Sequence, residues 1–395
     1  MSDAGREAQP DLEYTAVEDE LRGTVRALLT ARAPWTAVLE RVDSAEPHDI
    51  CDMKLWRTLA AEVGCAGLAV PEELGGAGAS FRETAVVIEE LGRAVAPVPF
   101  LGSAVLATAA LLAAEAEAEA GAGAAGGAGA GAELIGALAA GERTAALAVP
   151  FATPPGRPPA PDVRAAGGTL TGAVCGVADA LAADVLLAPA GDGARDALYM
   201  VDVAAAGTAV RRTPVTSLDM TRPLCDVTFD AAPAREVATG DAAAAAVRSA
   251  LLAGAALLAS EQLGLAERCL EMTVEYVKNR YQFGRPVGSF QGLKHRLADL
   301  WVAVTQARAV ARHAAACVAT GHPDAEIAAA VAQAHCSPVA VLAAEECVQL
   351  HGGIGFTWEH PAHLYLKRAK SASIALGTAD RHRAALARLV DLPPA

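Results

Sequence analysis

The chain is short of aromatic residues: seven Phe, five Tyr and four Trp make up 4% of 395 positions. Strands favour aromatic and β-branched side chains, so this scarcity argues against a β-rich protein. The 53% hydrophobic fraction is carried largely by alanine, which suits closely packed helices. No two of the eight cysteines (Cys51, Cys65, Cys175, Cys225, Cys269, Cys317, Cys336 and Cys347) form a C-x-x-C pair. That excludes a zinc ribbon or a thioredoxin-like site and fits the reduced, mostly buried thiols of a cytoplasmic protein. Basic charge is in deficit, with 32 Lys and Arg against 46 Asp and Glu, a net charge of −14. Nucleic acid is therefore not expected as the main partner, although a local basic cluster can still hold a phosphate. Long uncharged apolar runs are also missing. The most apolar stretch, AAAAAVRSALLAGAALLAS (242–260), contains Arg248 and reads as a buried helix with no membrane span. The opening MSDAGREAQPDLEY is polar and acidic, unlike a signal peptide. His360 and His363 have no third ligand in view, so no metal is expected.

At this length two or three domains are expected. Residues 15–145 read as helical, with apolar residues at helical spacing in VEDELRGTVRALLTARA and FRETAVVIEELGRAVA. A Gly-rich loop, LAVPEELGGAGAS (68–80), lies between them. Within 113–132 the Ala/Glu part extends a helix, while the Gly/Ala part reads as a mobile surface loop with nothing to pack against. A proline-rich connector follows about position 145, and then GTLTGAV, DVLLAPA, ALYMVDV and CDVTFD carry strand character. From about 241 the pattern is helical again. The expected domains are 1–145 (helical), 146–240 (β) and 241–395 (helical bundle), a mainly α chain with a middle β domain.

Three stretches carry candidate chemistry. In RYQFGRPVGSFQGLKHRLADL, Arg280 offers a planar fork of donors for phosphate, Phe283 a flat apolar face and Gln291 a donor and acceptor together. In VQLHGGIGFTWEHPAHLYLKRAK, Gly352 and Gly353 let backbone N–H groups approach an anion, with Gln349 one turn before. Lys367, Arg368 and Lys370 read as a solvated basic face. In SIALGTADRHR, Gly377 and Thr378 form the frame of a tight backbone approach, but the residue before them is Leu376. Alone, the first two stretches are equally compatible with a helical corner and a helix stop.

Together these stretches, with GCAGLAVPEELGGAGASFRETAVVIEELGRA, resemble the acyl-CoA dehydrogenase family over residues 65–98, 224–240 and 250–390. The resemblance implies an N-terminal helical domain, a small middle β-barrel or sandwich and a C-terminal four-helix bundle. It implies FAD as cofactor, contacted at Arg280, Phe283 and Gln291. Gln349, Gly352 and Gly353 would reach the FAD of a neighbouring subunit, and Gly377 and Thr378 would lie at the flavin. It further implies an acyl-CoA substrate, an electron-transfer flavoprotein as acceptor and an oligomer, usually a tetramer.

The family reaction forms a 2,3-double bond, for which a carboxylate must take the α-proton. That carboxylate usually precedes Gly-Thr, where this chain has Leu376; in a minority it lies on the first long helix of the C-terminal domain, at the position of Gly254. Neither residue accepts a proton. Glu261, seven residues on, and Glu359 are candidates for a relocated base. A Thr-Glu-Pro-to-Gly-Ser-Asp segment of the family is replaced by AVPFATPPGRPPAPD (148–162), and Asp380 stands where a neutral amide is common. Three readings stay open. The chain is the base-less subunit of a heteromeric enzyme, as in actinobacterial two-plus-two assemblies including those acting on steroid side-chain CoA esters. Or it is a self-sufficient homo-oligomer with a relocated carboxylate. Or it is a scaffold or acyl-CoA-binding protein without flavin.

Overall fold

The computed structural model describes residues 12–44, 46–121, 128–156, 162–193 and 195–392. The first helical layer comprises α1 (Ala16–Arg32), α2 (Trp35–Ser44), α3 (Met53–Arg57), α4 (Phe81–Ala94), α5 (Thr108–Glu119) and α6 (Ala128–Ala139). Capping boxes start two of them: Thr15 with Glu18 at α1, and Ser80 with Glu83 at α4. Each satisfies two N–H groups that a helix start leaves open. A π-helical turn, Leu101–Ala107, leads into α5.

Strands β1 (Ala145–Leu147), β2 (Arg164–Ala166), β3 (Thr169–Ala178), β4 (Val185–Gly191) and β5 (Asp196–Asp202) follow. After the single turn α7 (Val203–Ala206) come β6 (Val210–Val215), β7 (Leu224–Pro233) and β8 (Arg235–Thr239). They form one eight-stranded sheet in the order β6-β7-β3-β2-β4-β5-β8, with β1 parallel to β4. Leu170, Val177, Leu186, Val201 and Phe229 fill its own core.

The last domain is built on α8 (Gly240–Asn279), a helix of 40 residues. A small hairpin, β9 (Tyr281–Gln282) and β10 (Arg285–Pro286), leads to α9 (Gln291–Ala319), α10 (Ala325–Leu350), α11 (Ala362–Ala372) and α12 (Ala379–Leu389). Helix α8 crosses α4 at very short range: a Cβ on Gly264 would lie 1.9 Å from the Glu89 carbonyl oxygen, and one on Gly92 2.2 Å from that of Glu261. Only glycine allows this approach. Three helical stretches, Leu101–Glu119, Gly240–Asn279 and Ala325–Leu350, are long and apolar enough to cross a membrane, but 67%, 72% and 61% of their apolar windows are buried inside the fold. The run 242–260 is thus used up in packing, as its Arg248-broken pattern suggests.

The helix–strand–helix architecture agrees with the sequence expectation. In the stretch 113–132 the Ala/Glu part extends a helix as expected, while the Gly/Ala part departs from the expected loop. Helix α5 runs to Glu119 and α6 starts at Ala128, while 122–127 lie outside the described residues. The Gly/Ala half does have a neighbour: Gly131 sits against the Glu115 carboxylate, so close that a Cβ there would meet its oxygen at 2.3 Å.

Candidate active site

The end of α8 presents the first group of candidate residues. Arg280 caps α8, and its carbonyl accepts the Val287 N–H at 2.7 Å, closing the hairpin. Phe283 and Gly284 make its two-residue turn with φ of 54° and 76°. This turn type demands positive φ at both positions, so Phe283 is held in a strained conformation and is 87% exposed. Gln291 opens α9. One turn further, Arg296 bonds Glu346 on α10 at 2.6 Å, which brings the start of α9 beside the end of α10 and Gln349. His351 then stacks on Tyr276 of α8 with ring centroids 4.5 Å apart. Gly352 and Gly353 follow with open space where a Cβ would point. Arg280, Phe283, Gln291, Gln349, Gly352 and Gly353 therefore gather at one exposed end of the bundle. From Tyr276 to Ala298 the chain carries Lys278, Arg280, Arg285, Lys294 and Arg296 and no acidic residue. Such a surface, with Tyr281 and Phe283 exposed, suits a phosphate-bearing ligand with a flat ring.

Gly377 and Thr378 lie elsewhere. Leu376, just before them, is fully buried with φ 52°. Its N–H donates to the Phe151 carbonyl at 2.7 Å, and its carbonyl accepts from His382 Nε2 at 2.9 Å. Burial lowers the His382 pKa, which favours the neutral ring as the donor. Gly377, with φ 101°, is pressed on by Pro154: a Cβ would lie 2.9 Å from the Pro154 Cβ. Thr378 caps α12 through the Arg381 N–H. The side chain of Leu376 meets α8 at Gly254, where a Cβ would lie 3.0 Å from Leu376 Cδ1 and 2.5 Å from Leu106 Cδ2. The two positions at which the resemblance expects a base are thus one place in space. It is filled by two leucines and a glycine, with no proton acceptor among their side chains.

Gly254 precedes Asn279 by 25 residues of continuous helix, roughly 37 Å of axis. One flavin cannot reach Gly377 and Arg280 of the same chain. The Arg280 group and the Gln349 group, expected from sequence to face different flavins, stand together at the far end.

Glu261 is 2% exposed and bonded to Arg222 and, at 3.2 Å, to Arg368. Burial pushes its pKa up, but the two guanidiniums outweigh that and hold it below the ordinary carboxylate value. It is an ion-pair member bound to cations, an arrangement that weakens it as a base. Glu359 lies exposed in the turn after Gly352–Phe356, at the far end from Leu376. Arg368 does not belong to a solvated basic face: it is 3% exposed and also pairs with Asp219 at 2.9 Å. Lys370 is paired with Glu345 at 2.8 Å. Asp380 is paired with Arg383 at 2.7 Å.

The sequence reading missed Leu106, Phe151, Pro154 and His382. Leu106 sits on the π-helical turn, a feature frequent at functional sites. Phe151 and Pro154 belong to the proline-rich replacement; of its residues, 157–161 lie outside the described ones. The far end fits a flavin's diphosphate and adenine. The near end does not fit a flavin ring beside an acyl thioester, because Leu376, Phe151 and Pro154 close on one another there.

An acyl-CoA dehydrogenase N-terminal domain model matches residues 15–121, and an acyl-CoA dehydrogenase C-terminal domain model matches 244–390. The chain is 38% identical over 353 residues to acyl-CoA dehydrogenase IpdE2 of Mycobacterium tuberculosis, covering 89% of this chain and 91% of that one. The crystal structure of the ChsE4–ChsE5 complex from Mycobacterium tuberculosis is similar with a TM-score of 0.82 and 28% identity, covering 98% of this chain and 100% of that one. A Tcur3481–Tcur3483 steroid ACAD variant gives a TM-score of 0.79 and 30% identity, covering 95% of this chain and 98% of that one. With this order of helical, strand and helical layers, and matched over most of its length, the chain belongs to the acyl-CoA dehydrogenase family, a family of oxidoreductases.

Proposed function

We propose that this chain is the subunit without a base in a heteromeric acyl-CoA dehydrogenase, taking part in the FAD-dependent 2,3-dehydrogenation of an acyl-CoA thioester. The observation that carries the reading is the Leu376–Gly254 contact. Both base positions are apolar, buried and pressed together, so the carboxylate comes from a partner chain. The cofactor supplies hydride acceptance from the β-carbon. This chain's share is to bind: Arg280 and Gln291, with Gln349 and the N–H groups at Gly352 and Gly353, hold the diphosphate of a flavin seated in the partner. Phe283 covers its flat part. The pairing of two names in the ChsE4–ChsE5 complex supports a two-plus-two assembly. The steroid description of the Tcur3481–Tcur3483 protein points to a bulky acyl group as the substrate class. An electron-transfer flavoprotein is the proposed acceptor, and the cytoplasm the proposed compartment.

A self-sufficient homo-oligomer needs Glu261 or Glu359 as base. The ion pairs of Glu261 and the remote position of Glu359 count against it. The test is co-expression with a glutamate-bearing acyl-CoA dehydrogenase chain, followed by thioester dehydrogenation assays. Activity is expected only when both chains are present. Full activity of the purified lone chain overturns the reading.

A further inference from the structure

Cys175 is exposed, while the other seven cysteines are buried, and two of these meet. Cys269 on α8 and Cys347 on α10 face each other with their sulfurs within hydrogen-bonding reach. Cys347 Sγ also lies 3.7 Å from Nδ1 of His351, one turn on. His351 is 3% exposed and held between two rings, Tyr276 at 4.5 Å and His360 at 4.3 Å between centroids. Its Nδ1–H donates to the Cys347 carbonyl at 2.6 Å, which fixes a proton on the nitrogen that faces the sulfur. The Thr273 hydroxyl reaches the same sulfur and donates to the Cys269 carbonyl at 2.7 Å. The two thiols therefore differ. Hydrogen bonds from Cys269 and His351 outweigh burial and hold the Cys347 thiol below its ordinary value, whereas burial pushes Cys269 up. Other buried cysteines lack this arrangement. Cys317 has a histidine, His313 at 3.6 Å, yet burial raises its pKa. Cys336 donates to the Ala307 carbonyl and is likewise pushed up. Cys347 lies just over one turn before Gly352 and Gly353, where nothing stands within 4 Å of an added Cβ. Local opening of this last turn gives a small oxidant access to the sulfur.

We propose that Cys269 and Cys347 are a peroxide-sensitive thiol pair that regulates the flavin end of this chain. The Cys347 thiolate attacks one oxygen of hydrogen peroxide. The O–O bond breaks, Cys347 becomes a sulfenic acid, and the leaving hydroxide takes up a proton to form water. The Cys269 sulfur then displaces the sulfenic hydroxyl, which gives a disulfide and a second water. Two thiols are oxidised, one peroxide is reduced, and the two thiol protons end in the two waters. The new bond draws the Cys347 sulfur towards Cys269 and away from His351, the residue that leads into Gly352 and Gly353. The regulation rests on the reading above that this turn holds a flavin diphosphate; the thiol chemistry does not.

The test is hydrogen peroxide treatment of the folded full chain at neutral pH, with peptide mapping of its cysteines by mass spectrometry. Exposed Cys175 reports the peroxide dose. A Cys269–Cys347 disulfide is expected, reversed by dithiothreitol. In Cys269→Ser, Cys347 should stop at the sulfenic acid and be trapped by dimedone. In Cys347→Ser, Cys269 should stay a thiol. His351→Phe keeps a ring in the stack and should slow Cys347 oxidation about tenfold. Survival of both thiols at a dose that fully oxidises Cys175 overturns the proposal. Equal dimedone trapping in the two serine variants also overturns it, as does oxidation of Cys317 or Cys336 as fast as that of Cys347. In the FAD-loaded two-chain complex, flavin affinity should fall about tenfold on oxidation and recover with dithiothreitol. A disulfide that leaves flavin affinity unchanged overturns the regulation. A complex that holds no flavin at this end overturns the earlier reading instead, and the lone-chain mapping still decides the thiol pair.

Discussion

Leu376→Glu restores a carboxylate at the position before Gly-Thr, and the structure says how badly it should fit. Leu376 is fully buried, and its backbone N–H and C=O are already taken by Phe151 and His382. Its side chain runs into the Gly254 notch beside Leu106. Losing the buried leucine costs about 2 kcal/mol. A carboxyl group there stays neutral; an upward shift of about three pKa units costs about 4 kcal/mol at neutral pH. The combined loss, about 6 kcal/mol, is comparable with the whole stability of many domains. Its pH dependence has a definite sign. The new group's folded pKa lies above its unfolded value near 4.3. Between the two, the folded state binds the extra proton. Stability relative to wild type therefore falls by about 1.4 kcal/mol per pH unit as pH rises, until the folded pKa is passed. Urea unfolding of both proteins at pH 5 and pH 8 should show a gap wider by about 3 kcal/mol at pH 8. Equal stability at both pH values would mean an open, solvated site. So would thioester dehydrogenation by the lone variant, and either result refutes the closed-site reasoning.

The closed near end also limits flavin: the purified complex should hold about one flavin for every two chains, read from visible absorbance against protein, and one per chain contradicts the closure. Arg280→Ala and Gln349→Ala should each weaken flavin retention in the complex about tenfold or more. Their exposure predicts an unchanged melting temperature of the lone chain. Glu261→Gln strands the buried Arg222 guanidinium and leaves Arg368 with Asp219 as its carboxylate, and should cost about 3–5 kcal/mol in denaturant unfolding. Because the folded pKa of Glu261 is depressed, its contribution is present above the unfolded value near pH 4.3 and is lost as pH falls through the folded one. Gly264→Ala drives a methyl to 1.9 Å from the Glu89 carbonyl oxygen and should destabilise by about 1–3 kcal/mol or more. Gly23→Ala, in the middle of α1 with nothing within 4 Å, should instead stabilise by up to about 1 kcal/mol.

The parts of this fold that the sequence reveals are those whose cause is local. Strands β3, β4, β5 and β7 alternate or carry β-branched runs, and each is legible. Strand β1 is Ala-Ala-Leu, three buried residues laid parallel to β4. Such a strand has no alternation to read, because both of its faces are covered. The charges of Glu261 and Arg368 are visible in the sequence, yet their burial is not. Their partners Arg222 and Asp219 come from the β6–β7 connection, and only the docking of the β domain on α8 and α11 joins them.

The candidate site divides in the same way. The Arg280, Gln349 and Gly377 motifs are each short and legible, but their partition between two ends depends on α8 being one unbroken helix. The Leu376–Gly254 contact joins positions 122 residues apart in the chain. That contact bears on what the missing base means. Two separate losses of a carboxylate would leave two unrelated gaps, each open to water or lined by stranded donors. Here the two positions form a single notch. Glycine on one side makes room for leucine on the other, and Leu106 closes what remains. The backbone at Leu376 is drawn into a left-handed conformation and tied to Phe151, a residue of the segment that replaces the family's hydroxyl and acidic groups. Leucine in that conformation costs on the order of 1 kcal/mol. The cost is offset only because the packing is complete. A near end that is sealed in this way is shaped to stay shut, which leaves the exposed Arg280 end as the part of this chain proposed to meet a flavin.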